Sequence, residues 1–301
     1  MSHEALVFHI IHGSFVDGYG IRSTVFLKGC PLKCIWCCNP EGQSFQPELK
    51  VNRGQCNGCG NCLNTCSRNA LSLVGGLVQI NRDICDGCME CVEHCYTSTL
   101  EPFGVRYTAH EIFEIVRSDE MFYKSTGGGI TIGGGECTCY PDFMLELTQL
   151  CHNSGIHVAV DTCGYTTSSK ALEVLKAADL LLFDIKGIDP MRHKKNTGKS
   201  NEVILQNLHL LSEMRKPMII RVPVIPGYND SDEELNGIAD LLSTLKSVER
   251  VDILPEHEFG RIKYEQLDLE YRLKPCPVSA ERQDAIRVMF EAKGFHTQIG
   301  G

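Results

Sequence analysis

The chain has 301 residues, 43% of them hydrophobic and 22% charged, which suits one large α/β domain or one domain carrying a small insertion. A formal net charge of −9 argues against nucleic acid as a partner, because phosphate binding needs clustered lysine and arginine. No apolar run approaches the ~20 residues of a membrane span, and the start MSHEALVFHI lacks the basic and long apolar regions of a signal peptide, so a cytoplasmic protein with no membrane partner is expected. Seventeen cysteines in that compartment read as metal binding rather than as disulfides.

In chain order, the first strand is expected at Ser23–Leu27. Directly after it, the stretch GCPLKCIWCCNP places Cys30, Cys34 and Cys37 in a C-x3-C-x2-C pattern. Three thiolates leave one coordination position open, and open positions are where chemistry happens. Cys38 stands beside Cys37, where it is a poor ligand for the same site. A zinc site completed by a histidine such as His12 is the alternative, but zinc ligands normally come in pairs. Cys56, Cys59, Cys62 and Cys66, then Cys85, Cys88, Cys91 and Cys95, each follow C-x2-C-x2-C-x3-C, the bacterial ferredoxin spacing for [4Fe–4S] clusters. In such two-cluster units the fourth cysteine of each run serves the other cluster. The expected sets are therefore Cys56, Cys59, Cys62 with Cys95, and Cys85, Cys88, Cys91 with Cys66. The usual proline after each fourth cysteine is absent; Ser67 and Tyr96 stand there.

Further along, short β-branched or apolar runs occur at Gly129–Ile132, His157–Val160, Leu180–Phe183, Met218–Val222 and Val251–Leu254. Helical patterns at Asp142–Asn153, Ser168–Ala177, Glu202–Glu213 and Ser231–Ser243 separate them. Strand alternating with amphipathic helix means βα units and a parallel sheet. Six units predict an α/β fold, a partial (β/α)6 TIM-like barrel over residues 1–51 and 104–301, with residues 52–103 as an inserted ferredoxin-like two-cluster domain. In a parallel barrel, chemistry collects at the carboxyl ends of the strands. Gly133, Gly134, Gly135 and Glu136 fall there, as do Asp161, Thr162, Asp184, Ile185 and Lys186, with Arg221 and His257 after the last two strands. Each alone has an ordinary reading as a turn, a helix cap or a packed side chain; together they mark one rim.

The segments DGYGIRSTVFLKGCPLKCIWCCNPE, GGGITIGGGE, DTCGY, DIKGID, TGKSNEVILQN, RVPVIPGYND and LPEHEFGRIKY resemble the glycyl-radical-enzyme activating enzymes of the radical S-adenosylmethionine (SAM) superfamily, in the family's order and over nearly the whole chain. The eight-cysteine insertion resembles the branch that activates dehydratases, decarboxylases and lyases. Tyr19 stands where the family has proline in a DGPG turn, Gly133 and Cys137 where serine and proline are usual, and Glu256 where an aromatic residue precedes the histidine.

The resemblance implies three [4Fe–4S] clusters. The one on Cys30, Cys34 and Cys37 would bind SAM at its open iron and reduce it to methionine and a 5′-deoxyadenosyl radical. That radical would remove a hydrogen atom from a backbone glycine of a partner glycyl radical enzyme. It further implies Gly134, Gly135 and Glu136 near the methionyl amino group, Lys186 on the SAM carboxylate, Trp36, Cys37 and Cys38 bordering the adenine, and His257 by the adenosyl group. Ile185 and Arg221 belong to the same pocket, and Asp161, Thr162 and Asp184 with the Leu182 carbonyl form an alkali-cation site. Asp17 and Arg22 are expected on the face that meets the partner's glycine loop. Flavodoxin or ferredoxin is the expected electron donor to a monomer. An alternative is a radical SAM enzyme acting on a peptide or small molecule with auxiliary clusters; an electron carrier alone would not need the barrel rim.

Overall fold

The computed structural model describes residues 2–274 and 276–300. Its strands are β1 (Glu4–Ser14), β2 (Arg22–Leu27), β3 (Glu48–Val51), β4 (Leu71–Val74), β5 (Leu77–Ile80), β6 (Leu100–Phe103), β7 (Val105–Thr108), β8 (Gly129–Gly134), β9 (His157–Thr162), β10 (Leu180–Asp184), β11 (Met218–Val224), β12 (Val248–Pro255) and β13 (Thr297–Ile299). All six expected strands are present as β2 and β8 to β12. They lie side by side in chain order and run parallel, extended by parallel β13 at one edge and, at the other, by β1 antiparallel to β2 and β7 antiparallel to β1. The sheet ends at β13 and β7, so the barrel is partial. Strands β1, β7 and β13 are additions to the six expected.

The four expected helices appear as Pro141–Asn153, Ser169–Ala177, Glu202–Glu213 and Asp232–Leu242. Serine oxygens start two of them: Ser168 accepts from the Ala171 N–H (3.4 Å) and Ser231 from the Glu234 N–H (3.3 Å). A further helix, Ala109–Arg117, opens with a capping box in which Thr108 and Glu111 satisfy each other's backbone N–H groups. Among the described residues no helix is long and apolar enough to cross a membrane.

A period of two sorts each strand's side chains. Val25 and Leu27, Ile130 and Ile132, Val158 and Val160, Leu181 and Phe183, Ile220 and Val222, Val251 and Ile253 join the helices in the main core. The alternating positions face inward. Ala159, Leu180, Leu182 and Ile219 make a small second cluster that fills the barrel floor. Above it the inward positions are Gly133 and the charged Asp161, Asp184 and Arg221. The strand pattern that builds the core thus also delivers the charged residues to the upper lumen.

Between β2 and β7, the chain forms a smaller unit. β3 pairs with β6 as an antiparallel neck, β4 pairs with β5, and two short helices, Asn61–Thr65 and Glu90–Glu93, carry Cys62 and Cys91. Leu49, Val51, Leu71, Val78 and Leu100 pack with these two cysteines in a core separate from that of the barrel. The neck recruits Glu48–Val51, four residues before the expected start at residue 52.

Candidate functional site

The loop after β2 presents the first three cysteines. Its path is held by backbone bonds from Gly29 to Gly42 (2.7 Å), Lys33 to Thr197 (2.7 Å) and Ile35 to Asn196 (3.0 Å). The Tyr264 hydroxyl donates to the Cys37 carbonyl (2.9 Å), while the Lys263 ammonium bonds Asn39 (2.6 Å) and Glu41 (2.7 Å). The end of β8 lies against this loop so closely that only glycine fits. A Cβ on Gly134 (φ +114) would stand 2.3 Å from Leu27 backbone atoms, and one on Gly135 would stand 2.3 Å from the Gly42 oxygen. The glycine requirement, expected from the approach of a ligand, is already set by the protein's own backbone.

Cys30, Cys34 and Cys37 are half-buried thiols. Burial pushes Cys34 up to about 12, with Lys186 opposing, and Cys30 and Cys37 are raised for the same first reason. Three such thiols become stable thiolates only beside added positive charge, which is what iron supplies. His12, the candidate partner for a zinc site, bonds Asp119 instead (2.5 Å). Lys186 pairs with Asp184. Burial works against its charge, but Asp184, Cys34 and Cys163 outweigh burial and hold its pKa well above the usual lysine value. A permanent cation therefore stands beside the three-cysteine loop at the carboxyl end of β10.

Below it, Arg221 donates to Asp161 (3.1 Å) and to the Val16 carbonyl (3.0 Å) and lies 3.5 Å from Asp17. Asp17 also accepts from Ser14 (2.6 Å) and Thr24 (2.7 Å). Three carboxylates, Asp17, Asp161 and Asp184, thus share two cations. Burial pushes Asp161 up to about 7; Arg221 works against that shift, and Asp184 and Asp17 add to it. A bound monovalent cation would relieve this excess negative charge. Among the described residues, no three His, Cys, Asp or Glu side chains converge as one ion would require, so such a site would draw on backbone oxygens as well.

Four expected residues, Thr162, Glu136, Ile185 and Arg22, turn their side chains elsewhere. Thr162 alternates with Asp161 along β9 and faces away from it, donating to Glu136 (2.7 Å). The Glu136 carboxylate is consumed internally, accepting from the Thr138 hydroxyl (2.7 Å) and backbone N–H (3.2 Å) and from the Cys163 N–H (2.8 Å). It ties the end of β8 to the end of β9 and leaves a ligand only its backbone. Ile185 is 1% exposed in the main core, again leaving only its backbone. Arg22 is wholly buried, where it donates to Thr131 (2.7 Å) and the Tyr19 carbonyl (3.1 Å). It supports the turn expected to meet a partner instead of lining its surface. Cys38 is exposed, Trp36 packs edge-on to Tyr228 at 6.2 Å, and exposed His257 lies against Phe259 with ring centres 4.5 Å apart. Lys263 and Tyr264, which hold the cysteine loop, went unassigned in the sequence although they are the last two residues of the GRIKY segment; a lysine and a tyrosine on a short helix carry no motif of their own.

In the small unit, one cavity is lined by Cys56, Cys59, Cys62 and Cys95, and another by Cys66, Cys85, Cys88 and Cys91. Each contains three cysteines of one run and the fourth of the other. Backbone N–H groups point at the sulfurs, from Val78 to Cys56 (3.4 Å) and from Ala70 to Cys66 (3.3 Å). Burial works to raise the Cys95 thiol, yet hydrogen bonds from Leu100, Thr97 and Thr99 bring it below its usual value. Donors aimed at sulfur suit a ligated thiolate.

A profile of the radical SAM superfamily matches residues 84–238, and one of a 4Fe-4S single cluster domain matches residues 16–119. The chain therefore belongs to the radical SAM superfamily. The trans-4-hydroxy-L-proline dehydratase activating enzyme of Clostridioides difficile is 42% identical over 300 residues, covering 98% of this chain and 99% of that one. The choline trimethylamine-lyase activating enzyme of Oleidesulfovibrio alaskensis is 37% identical over 284 residues, 92% of either chain. A crystal structure of a radical SAM methyltransferase from Sphaerobacter thermophilus shares the fold, with a TM-score of 0.53 at 14% identity over 92% of this chain and 66% of that one. Within the superfamily, the chain is a member of the glycyl-radical-enzyme activating enzymes. Its activity is the SAM-dependent activation of a glycyl radical enzyme, with SAM and iron–sulfur as its cofactors.

Proposed function

We propose that the protein carries three [4Fe–4S] clusters, one on Cys30, Cys34 and Cys37 and two in the ferredoxin-like unit at residues 52–103, and that it works as a monomer on a partner's glycine loop. The observation that carries this reading is the gathering of the three-cysteine loop beside the Lys186 ammonium at the carboxyl end of the parallel strands. A cluster held by Cys30, Cys34 and Cys37 would supply the electron for reductive cleavage of SAM, the chemistry that removes the glycine hydrogen. Lys186 holds the SAM carboxylate, the backbone around Gly134 and Gly135 borders its amino group, and Trp36, Cys38 and His257 surround the adenosine. Asp161 and Asp184 hold an alkali cation with backbone oxygens, since hard oxygen ligands suit such an ion. Asp17, fixed by Ser14, Thr24 and Arg221, faces the entering glycine. Flavodoxin or ferredoxin is the electron donor in this reading, and the two crossed cysteine sets would hold the clusters that relay the electrons. For the partner, a dehydratase or a C–N lyase is supported by the names of the relatives at 42% and 37% identity.

The test pairs reconstituted protein, SAM and reductant anaerobically with each of those two partner classes. A glycyl radical signal by electron paramagnetic resonance, with 5′-deoxyadenosine formed, is the expected result on one of them. Brisk SAM cleavage with no radical on either would overturn the partner reading.

Lys186→Met keeps side-chain length and deletes the charge. A charge-assisted bond contributes about 1.5–3 kcal/mol, so SAM affinity should fall roughly tenfold to a hundredfold with iron content unchanged. An unaltered dissociation constant would show that Lys186 serves only Asp184.

A further inference from the structure

Residues 258–269, which follow β12, touch both halves of the molecule. Toward the barrel, Tyr264 bonds the Cys37 carbonyl, Lys263 bonds Asn39 and Glu41, and Gly260 meets Cys38 so tightly that a Cβ would lie 2.9 Å from the Cys38 Cα. Toward the small unit, Asp268 pairs with Arg53 and with Arg82 (3.0 Å). Arg82 also donates to the Gln266 carbonyl (3.0 Å), Arg53 to the Glu265 carbonyl (3.2 Å), and Gln266 to Asn52 (2.7 Å). These contacts are polar and border an open groove that Val51, Gln55 and Ile262 help to line. The two hydrophobic cores do not merge. The neck of β3 and β6 therefore attaches the small unit at one place, and the ties to residues 265–268 hold it at another.

We propose that residues 258–269 form a strut that sets where the eight-cysteine unit stands relative to the three-cysteine loop, with Asp268 as its positioning residue. One carboxylate engaging two arginines joins the side of the strut facing the small unit; Tyr264 and Lys263 join the side facing Cys37 to Glu41. Asp268 has φ +56, a left-handed conformation that aspartate and asparagine tolerate better than most residues. The consequence for electron delivery rests on the three-cluster reading above, because tunnelling falls steeply with distance. The mechanical coupling does not.

Hydrogen–deuterium exchange on the anaerobic holoprotein tests it, with Asp268→Asn and Arg82→Gln on opposite sides of the contact. Asparagine retains the backbone preference and removes the charge. Both variants should exchange about twofold to fivefold faster in residues 52–103. Both should also speed exchange in the peptide spanning residues 36–41, which neither side chain contacts. Faster exchange confined to residues 52–103, or none, would overturn the strut. Should either variant fail to fold, the wild-type protein at ~1 M salt, where screening shortens to about 3 Å, must show the same two-site pattern or the proposal fails. In folded Asp268→Asn, flavodoxin-driven SAM cleavage should slow while SAM affinity stays unchanged. If exchange changes as expected but this rate does not, the strut stands and the relay reading fails.

Discussion

Replacing Cys30, Cys34 and Cys37 together with alanine should remove one of the three [4Fe–4S] clusters proposed above and all SAM cleavage. Iron and sulfide analysis should fall by a third, and 5′-deoxyadenosine should be undetectable with either dithionite or flavodoxin. The fold should survive, because the loop is held by contacts that do not involve sulfur: Tyr264 on the Cys37 carbonyl, Lys263 on Asn39 and Glu41, and the buried Lys28 ammonium on the Glu41 carbonyl (2.6 Å) and Glu48 (2.6 Å). Without the loop thiolates no residue would remain to hold the cluster that reduces SAM. SAM cleavage by this variant would refute the assignment of these three residues.

The second large effect separates relay from scaffold in the small unit. Changing Cys66, Cys85, Cys88 and Cys91 to alanine should abolish flavodoxin-driven cleavage and leave dithionite-driven cleavage standing, since a small reductant reaches the first cluster directly. Those four residues line one cavity, and the other retains Cys56, Cys59, Cys62 and Cys95. Two clusters' worth of iron should therefore remain. If each run instead ligated its own cluster, loss of Cys66 would damage both centres and iron would fall further. A purely structural role makes both reductants fail together with loss of folded protein. Folded variant driven by flavodoxin at the original rate would end the relay reading.

Local chemistry in the sequence was enough to determine a large part of this protein. Cysteine spacing is a one-dimensional record of ligand geometry, so the gathering of three cysteines of each run with the fourth of the other, seen in the two cavities of the small unit, could be expected before any fold. The alternation of β-branched runs and amphipathic helices likewise marked all six parallel strands, because a strand buried between lumen and helices must be apolar over a short, bounded run. Strands β1, β7 and β13 escaped that reading because they lie outside the repeating strand–helix rhythm, and β13 is only three residues long.

Only the tertiary structure decided which rim residues share a face. Asp161 and Thr162 are neighbours in sequence, yet the period of a strand sends one to the lumen and the other to Glu136. Arg22 has the composition of a surface residue and is wholly buried, because Thr131 and the Tyr19 carbonyl satisfy its donors inside the barrel. The bracket formed by Lys263, Tyr264 and Asp268 joins positions more than two hundred residues apart in the chain, from Cys37 and Asn39 to Lys263 and Tyr264. Such contacts leave no periodicity or spacing to read: a hydrogen bond between distant segments is determined by where the sheet and its loops bring them, and ligand spacing is legible because its geometry is confined to a few consecutive residues.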